Sequence, residues 1–114
     1  ASKLVKVVLA GTGGDEVFGG YPWRYYNALV NNDFEDYVQK YYKSWQRLIP
    51  DKYAKTIFEP IWDEVKDIST LEIFRDVFKL KKYKYSRPED YINYSMYFEA
   101  KTFLHGLLIV EDKL

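Results

Sequence analysis

The chain has 114 residues, no cysteine, and 17 basic against 17 acidic side chains, so its formal net charge at pH 7 is zero. A chain of this length has room for one domain, and the balanced charge disfavours binding to nucleic acid or to an anionic membrane surface. The sequence has no apolar run that could span a bilayer and no signal peptide, which together with the lack of cysteine points to the cytoplasm.

The first predicted element is a short strand that runs into a glycine-rich turn. Residues 5–9, VKVVL, are mostly β-branched and apolar, which is typical of a strand buried on both faces of a parallel sheet. Gly11, Gly13 and Gly14 follow, and glycine lets the backbone turn sharply and approach a ligand closely. Because no second strand is visible in the sequence, we expect residues 3–9 to pair with a copy of themselves or to lie in another intermolecular contact. The chain should then be at least dimeric, most simply a homodimer.

Two carboxylates, Asp15 and Glu16, stand where this turn should lead into a helix, whose first turn favours acidic side chains. A strand, a glycine turn and a helix start together form the usual phosphate site of α/β proteins. The spacing fits no dinucleotide fingerprint, because Glu16 replaces the third small residue, and no P-loop. Adjacent carboxylates repel a bare polyphosphate, so a phosphate site here requires a cation such as Mg²⁺. On spacing alone, a capped turn without a ligand is an equal alternative.

The rest of the sequence predicts amphipathic helices that proline and glycine separate. The predicted helices are residues 22–30, residues 34–45 with Asp33 as cap, residues 52–58 with Asp51 as cap, residues 60–65, a helix from Thr70, residues 91–103 after a capping box at Ser86 and Glu89, and a last short helix from Leu107. Gly106 is interpreted as a bend or helix stop. The basic run at residues 79–85 is interpreted as a solvated helix end, and the single histidine, His105, does not indicate a zinc site.

At this point two segments resemble one family. The sequence GTGGDEVFGGY, residues 11–21, resembles the SG[ED]G[AGS]DE[LIV]FGGY signature of glutamine-dependent asparagine synthetases and their relatives. The sequence YFEAKTFLHGLLIVEDKL, residues 97–114, resembles a later segment of the same synthetase domain. The resemblance implies a mainly α chain with one N-terminal β-strand, which forms a partial domain of an α/β ATP-pyrophosphatase-type synthetase. The family's SGG-x-DS pyrophosphate loop and its glutaminase domain are missing, so we expect residues 1–114 to be a piece of a longer protein.

The resemblance also implies a reaction and a set of site residues. The family activates the side-chain carboxylate of aspartate with ATP as an acyl-adenylate, and ammonia then displaces AMP to give asparagine. Asp15 matches the acid that helps to hold Mg²⁺ on the pyrophosphate, and Lys113 matches a basic residue that contacts the phosphates. The other matching positions are Gly11, Thr12, Gly13 and Gly14 in the loop beside the substrate, and Glu16, an acid of less defined role.

Two positions depart from the family pattern: many members carry Glu or Asp where this chain has Thr12, and Ala10 replaces a serine. A relative that forms another amide, of the β-lactam or macrolactam type, therefore stays open. The other alternative is a non-catalytic helical interaction module that keeps the glycine turn as a scaffold. Because adenylation needs the metal pyrophosphate to be held from several sides, we expect no aspartate-dependent pyrophosphate release from the isolated chain.

Overall fold

A computed structural model describes residues 3–4, 6–7, 11–79 and 87–112 of the chain. Regular secondary structure in these ranges is helical, as the prediction of a mainly α chain required. The α-helices are α1 (Gly14–Phe18), α2 (Pro22–Leu29), α3 (Phe34–Trp45), α4 (Ala54–Ile57), α5 (Trp62–Val65), α6 (Thr70–Asp76), α7 (Pro88–Glu99) and α8 (His105–Asp112). Two 3₁₀-helices, Asp51–Tyr53 and Glu59–Ile61, precede α4 and α5, and a π-helix, Ala100–Leu104, joins α7 to α8.

The predicted N-terminal strand is not found in the described part of the chain. Leu4 and Val7 are 88% and 76% exposed, and a turn and a bend replace the expected extended backbone. Residues 5 and 8–10 lie outside the described ranges. The physical reason is that the described residues offer no second strand whose backbone N–H and C=O groups could pair with this one. The expected pairing between two copies of the chain stays a prediction.

Helix α3 lies at the centre of the protein, and its start is set by a side-chain cap. The Asp33 carboxylate accepts a hydrogen bond of 2.8 Å from the backbone N–H of Asp36, as the sequence predicts. We call the packed rings of α3, α6 and α7, with the segment that follows α6, the aromatic core. Its buried members are Tyr37, Val38, Tyr41, Tyr42, Phe74, Phe78, Tyr91, Tyr94 and Phe98. The centroids of the Phe74 and Phe98 rings are 4.4 Å apart, so α6 and α7 are in direct contact.

The helical segment after residue 87 is longer than predicted. Helix α7 begins at Pro88, before the predicted start at Tyr91. Arg87 is its N-cap, and the Arg87 backbone N–H donates to the Asp90 carboxylate at 3.2 Å. Ser86 lies outside the described residues. The predicted stop at Gly106 is wrong, since Gly106 lies inside α8. A single glycine in a helix interior costs only about 1 kcal/mol relative to alanine, which is too little to end a helix by itself.

The segment between Pro50 and Ser69 packs much less than the aromatic core. The predicted helix at residues 52–58 is divided into a 3₁₀ turn and α4, and none of the four short elements in this segment contains a buried residue. Asp51 does not cap α4. Its two carboxylate oxygens instead accept from the Tyr42 hydroxyl, each at 2.9 Å, so a long-range contact takes the place of the predicted local one.

Candidate functional site

The glycine turn, defined as residues 11–14, leads directly into α1. Gly13 has a φ of +99°, a left-handed backbone conformation that favours glycine. A Cβ at this position would also lie 2.9 Å from Leu104 Cδ1, so the turn rests closely on the π-helix. Gly19, with a φ of +71°, ends α1. The helix start predicted at Asp15 and Glu16 is confirmed, and two left-handed glycines delimit α1.

The two adjacent acids of α1 point in different directions. Asp15 is exposed, whereas Glu16 is only 2% exposed. The Asp15 carboxylate lies against the backbone of Gly20, in the space that a Cβ at Gly20 would occupy. Consecutive residues of a helix do not share a face, so one acid meets solvent and the other meets the protein interior. In this geometry Asp15 is the acid that a ligand in solution can reach.

Tyr21 connects this pair of acids to the next helix. Desolvation, followed by the carboxylates of Glu16 and Asp15, raises the pKa of the Tyr21 hydroxyl. The Arg24 guanidinium lies over the Tyr21 ring, with its Cζ atom 3.8 Å from the ring centroid. A cation at this distance is attracted to the electron-rich face of the ring. Tyr21 therefore contacts acids through its hydroxyl and a base through its ring.

Arg24 also belongs to a buried polar group. We call this group the Glu99 cluster; its members are Glu99, Arg24, Tyr25 and Tyr41. Glu99 is 0% exposed. Its Oε2 accepts from Arg24 Nη1 and from the Tyr25 hydroxyl, both at 3.3 Å, and its Oε1 accepts from the Tyr41 hydroxyl at 3.1 Å. Each carboxylate oxygen thus has a donor, which is what a buried carboxylate requires.

Burial sets the protonation behaviour of the Glu99 cluster. Desolvation raises the pKa of Glu99, while Arg24 and the two tyrosine hydroxyls act in the opposite direction. Desolvation and the Glu99 carboxylate raise the pKa of Tyr25 to about 12, so its hydroxyl keeps its proton and donates at neutral pH. The same two causes raise the pKa of Tyr41.

The structure brings six of the predicted site residues together. Gly11, Thr12, Gly13, Gly14, Asp15 and Glu16 are consecutive and form the turn and the first part of α1. Lys113, the predicted phosphate contact, lies outside the described residues, although α8 is described up to Asp112. The roles assigned to these residues from the family resemblance stay predictions.

The acids of the described residues do not form a metal site by themselves. No group of three histidine, cysteine, aspartate or glutamate side chains in these ranges is placed to hold a metal ion. Asp15 offers a single exposed carboxylate, a pattern that suits Mg²⁺, because Mg²⁺ commonly takes one or two protein carboxylates and completes its shell with water and substrate phosphates.

In the described part of the chain, two open clefts border the segment between Pro50 and Leu71. Their volumes are about 400 Å³ and 420 Å³. Both are lined by Asp51, Ala54, Phe58 and Thr70. No residue of the glycine turn or of α1 lines either cleft, so they do not extend the candidate site. Within the described ranges, no helix has the length and apolar character needed to cross a membrane.

Sequence reasoning missed four residues that surround the site: Tyr21, Arg24, Glu99 and Leu104. Tyr21 was treated only as the end of the signature, Glu99 only as part of a helix, and Leu104 only as part of the C-terminal segment that resembles the family. One signal was available, because Glu99 follows Phe98 and Ser95 on the buried side of α7, where a charge needs a partner. Its partner Arg24 is 75 residues away, a separation that no local pattern specifies.

The comparisons with known proteins agree with the two motifs. A family model described as "Asparagine synthase" matches residues 1–114, the whole of the sequence. The searches of curated proteins and of solved structures gave no match. The matched range includes the glycine turn, the Glu99 cluster and the C-terminal segment, so the family similarity is not confined to the short signature.

Proposed function

Because the chain belongs to the asparagine synthase family, we propose that it is part of an ATP-dependent amide-forming ligase that adenylates aspartate and passes the acyl group to ammonia. The observation that carries the proposal is the placement of Asp15. This acid is exposed directly after a glycine turn with a left-handed residue, while its neighbour Glu16 is buried. The Asp15 carboxylate is therefore accessible to a ligand, whereas the Glu16 carboxylate is enclosed by the protein.

The exposed Asp15 carboxylate would hold Mg²⁺, with the nucleotide phosphates providing further ligands. When bound, Mg²⁺ neutralises charge on the pyrophosphate leaving group. Gly13 lets the backbone pass close to the π-helix, and Gly20 leaves room for the Asp15 side chain. Lys113 and the remaining residues of the turn, Gly11, Thr12 and Gly14, are proposed as contacts to the phosphates or the substrate, on the strength of the family similarity.

Thr12 favours a second candidate within the same class of reaction. A neutral hydroxyl cannot take a proton from ammonia as a carboxylate can, so a chain with threonine at this position is also suited to an amide-forming ligase that acts on a different carboxylate and amine. The two candidates share the adenylation step and differ in the acyl substrate. They are separated by testing which carboxylate supports the release of pyrophosphate.

The test is a pyrophosphate-release assay on the full-length gene product that contains this sequence. We expect release from ATP that depends on aspartate and Mg²⁺, and a loss of roughly 100-fold or more on Asp15→Asn, which keeps the size of the side chain but removes its charge. Asp63→Asn is the matched control, because the Asp63 side chain is 91% exposed on α5. A fully active Asp15→Asn protein would refute the role of Asp15, and release that requires another carboxylate would favour the second candidate.

A further inference from the structure

Among the side chains of helix α2 that the structure describes, Tyr25 is buried and Arg24 is largely buried, with 12% of its side chain exposed. The large apolar side chains around them face solvent: Trp23, Tyr26, Leu29 and Val30 are 61%, 64%, 46% and 75% exposed. Both of these side chains donate to Glu99, so the Glu99 cluster joins α2 to α7.

Two members of the Glu99 cluster, Arg24 and Tyr25, also contact the residues that connect α2 to the acids of α1. The Arg24 guanidinium stacks on the Tyr21 ring, and the Tyr21 hydroxyl lies near the carboxylates of Asp15 and Glu16. Gly19, which ends α1, packs against Tyr25, since a Cβ at Gly19 would lie 3.6 Å from Tyr25 Cε2. A displacement of α2 would therefore shift both Gly19 and Tyr21, the two ends of the short segment that links α1 to α2.

A purely stabilising role explains the Glu99 cluster less well. Burying an ion pair is costly, and apolar residues of similar volume often stabilise a protein equally well or better. The pair here is also incompletely satisfied, because Arg24 Nε is buried without a hydrogen-bond partner in the described structure. What the pair provides, and an apolar contact would not, is a fixed direction for the guanidinium over the Tyr21 ring.

We propose that Arg24 and Glu99 are positioning residues that fix the Asp15 carboxylate: the buried pair orients Tyr21 and α2, and these hold α1 in the arrangement that exposes Asp15 and buries Glu16. The inference rests on the proposed function only in taking Asp15 as the metal-facing acid. The arrangement itself is a property of this chain and can be measured without any catalysis.

The test is amide hydrogen exchange of the chain, followed by mass spectrometry, with Arg24→Met, Glu99→Gln and the double variant. We expect each single variant to speed exchange in residues 14–24 by about tenfold, because local opening then precedes global unfolding. Exchange in residues 37–42 of the aromatic core should change far less. The double variant should resemble the single variants, because either substitution already removes the pair.

The control is a second ion pair that also joins distant parts of the sequence. Arg75 Nη2 lies 2.5 Å from Glu35 Oε1 and links α6 to α3 on the surface. Arg75→Met should leave exchange in residues 14–24 unchanged. If Glu99→Gln does not fold, Arg24→Lys is measured instead, since lysine keeps the charge but not the planar group that stacks on Tyr21, and the same local increase is expected.

The outcomes separate this proposal from the proposed function. Unchanged exchange in residues 14–24, or an equal increase along the whole chain, would overturn the positioning role even if Asp15→Asn abolishes pyrophosphate release. A local increase confined to residues 14–24 supports the role even if the full-length protein releases no pyrophosphate. In an active full-length protein, Arg24→Lys should also raise the KM for magnesium ATP about tenfold or more, as a misplaced metal-facing acid would.

Discussion

The aromatic core and the glycine-turn region are held together in different ways. In the core most rings have several ring partners: Phe98 lies within 5.7 Å, between ring centroids, of Tyr41, Trp45, Phe74 and Phe78. The burial of this apolar surface is a non-directional contribution that accumulates over many contacts, so it dominates stability. Around the glycine turn, Asp15, Tyr21 and Arg24 depend on a few polar and cation–π contacts and on glycines that leave space for them. Substitutions in the core should therefore lower the free energy of unfolding most, whereas those near the turn should lower it less and change local geometry.

The largest effect should come from emptying the centre of the core. Phe98→Ala removes a ring that bridges α7 to both α3 and α6, and truncation of a buried phenylalanine costs about 3–5 kcal/mol. Urea unfolding followed by far-ultraviolet circular dichroism measures the change. Phe18→Ala is the control, since Phe18 is 86% exposed and its loss should alter the free energy of unfolding by less than about 0.5 kcal/mol. Similar losses for both variants would contradict the packing described here.

A smaller loss in the free energy of unfolding is expected at the glycine turn, where the backbone conformation of Gly13 determines the cost of a side chain. Gly13→Ala places a Cβ on a residue with a φ of +99°, and the left-handed region costs a non-glycine residue about 1–2 kcal/mol, to which the contact with Leu104 adds. Gly14→Ala is the matched control because a Cβ there meets no atom within 4 Å and the residue is helical. Urea unfolding of the two variants gives the comparison.

The two glycine variants should change the free energy of unfolding in different directions. Gly14→Ala should be neutral or stabilise the chain by about 0.5–1 kcal/mol, because alanine has the higher helix propensity. Adding Leu104→Ala to Gly13→Ala should relieve the close contact but not the backbone strain, so stability is recovered only in part. Full recovery would show that crowding, and not the left-handed conformation, is the cost of a side chain at Gly13.

The sequence predicted well those elements whose signals are local. Helix α3 has a cap at Asp33 and a regular apolar stripe, and both the cap and the buried face are observed. Helix α6 begins at Thr70 as predicted, and Ser69, one residue before this start, supplies the cap. These features need only neighbours within one or two helical turns, which is the range over which periodicity and capping act.

The sequence predicted poorly what depends on residues far apart. Asp51 was expected to cap a helix, but its carboxylate instead accepts a hydrogen bond from the hydroxyl of Tyr42 in another helix. Gly106 was expected to stop a helix that instead continues as α8, and nothing in the sequence indicated the π-helix before it. In the candidate site, the turn and its acids were found from the motif, whereas the Glu99 cluster depends on a contact with Arg24 that only the folded chain brings about.

A third and still smaller effect tests a local signal in the core's central helix. Asp33→Ala removes the carboxylate that accepts from the Asp36 N–H, and loss of such a cap typically costs about 1 kcal/mol. Asp33→Asn keeps an acceptor oxygen in the same place, so it should cost much less. The comparison uses urea unfolding at neutral pH. Equal losses for alanine and asparagine would show that the charge of Asp33, and not its hydrogen bond, supports α3.

The smallest effect should be the pH dependence that Glu99 adds, because Arg24 and the hydroxyls of Tyr25 and Tyr41 partly oppose the effect of burial on its pKa. Burial raises the pKa of Glu99 above its ordinary value of 4.5, so the folded chain binds this proton more tightly than the unfolded chain does. The stability that this proton binding contributes is fully present below the unfolded pKa and is lost as the pH rises through the folded pKa.

Glu99→Gln removes this titration while keeping the size of the side chain. Measured by urea unfolding at a series of pH values from about 4 to 7, a range that begins near the ordinary glutamate pKa, the stability of the wild-type chain relative to Glu99→Gln should therefore fall as the pH increases. Phe18→Ala changes no titratable group, so its difference from the wild type should stay constant over the same range. A wild-type advantage that grows with pH would mean that Arg24 and the hydroxyls outweigh burial, and that Glu99 is bound in the folded chain preferentially as the carboxylate.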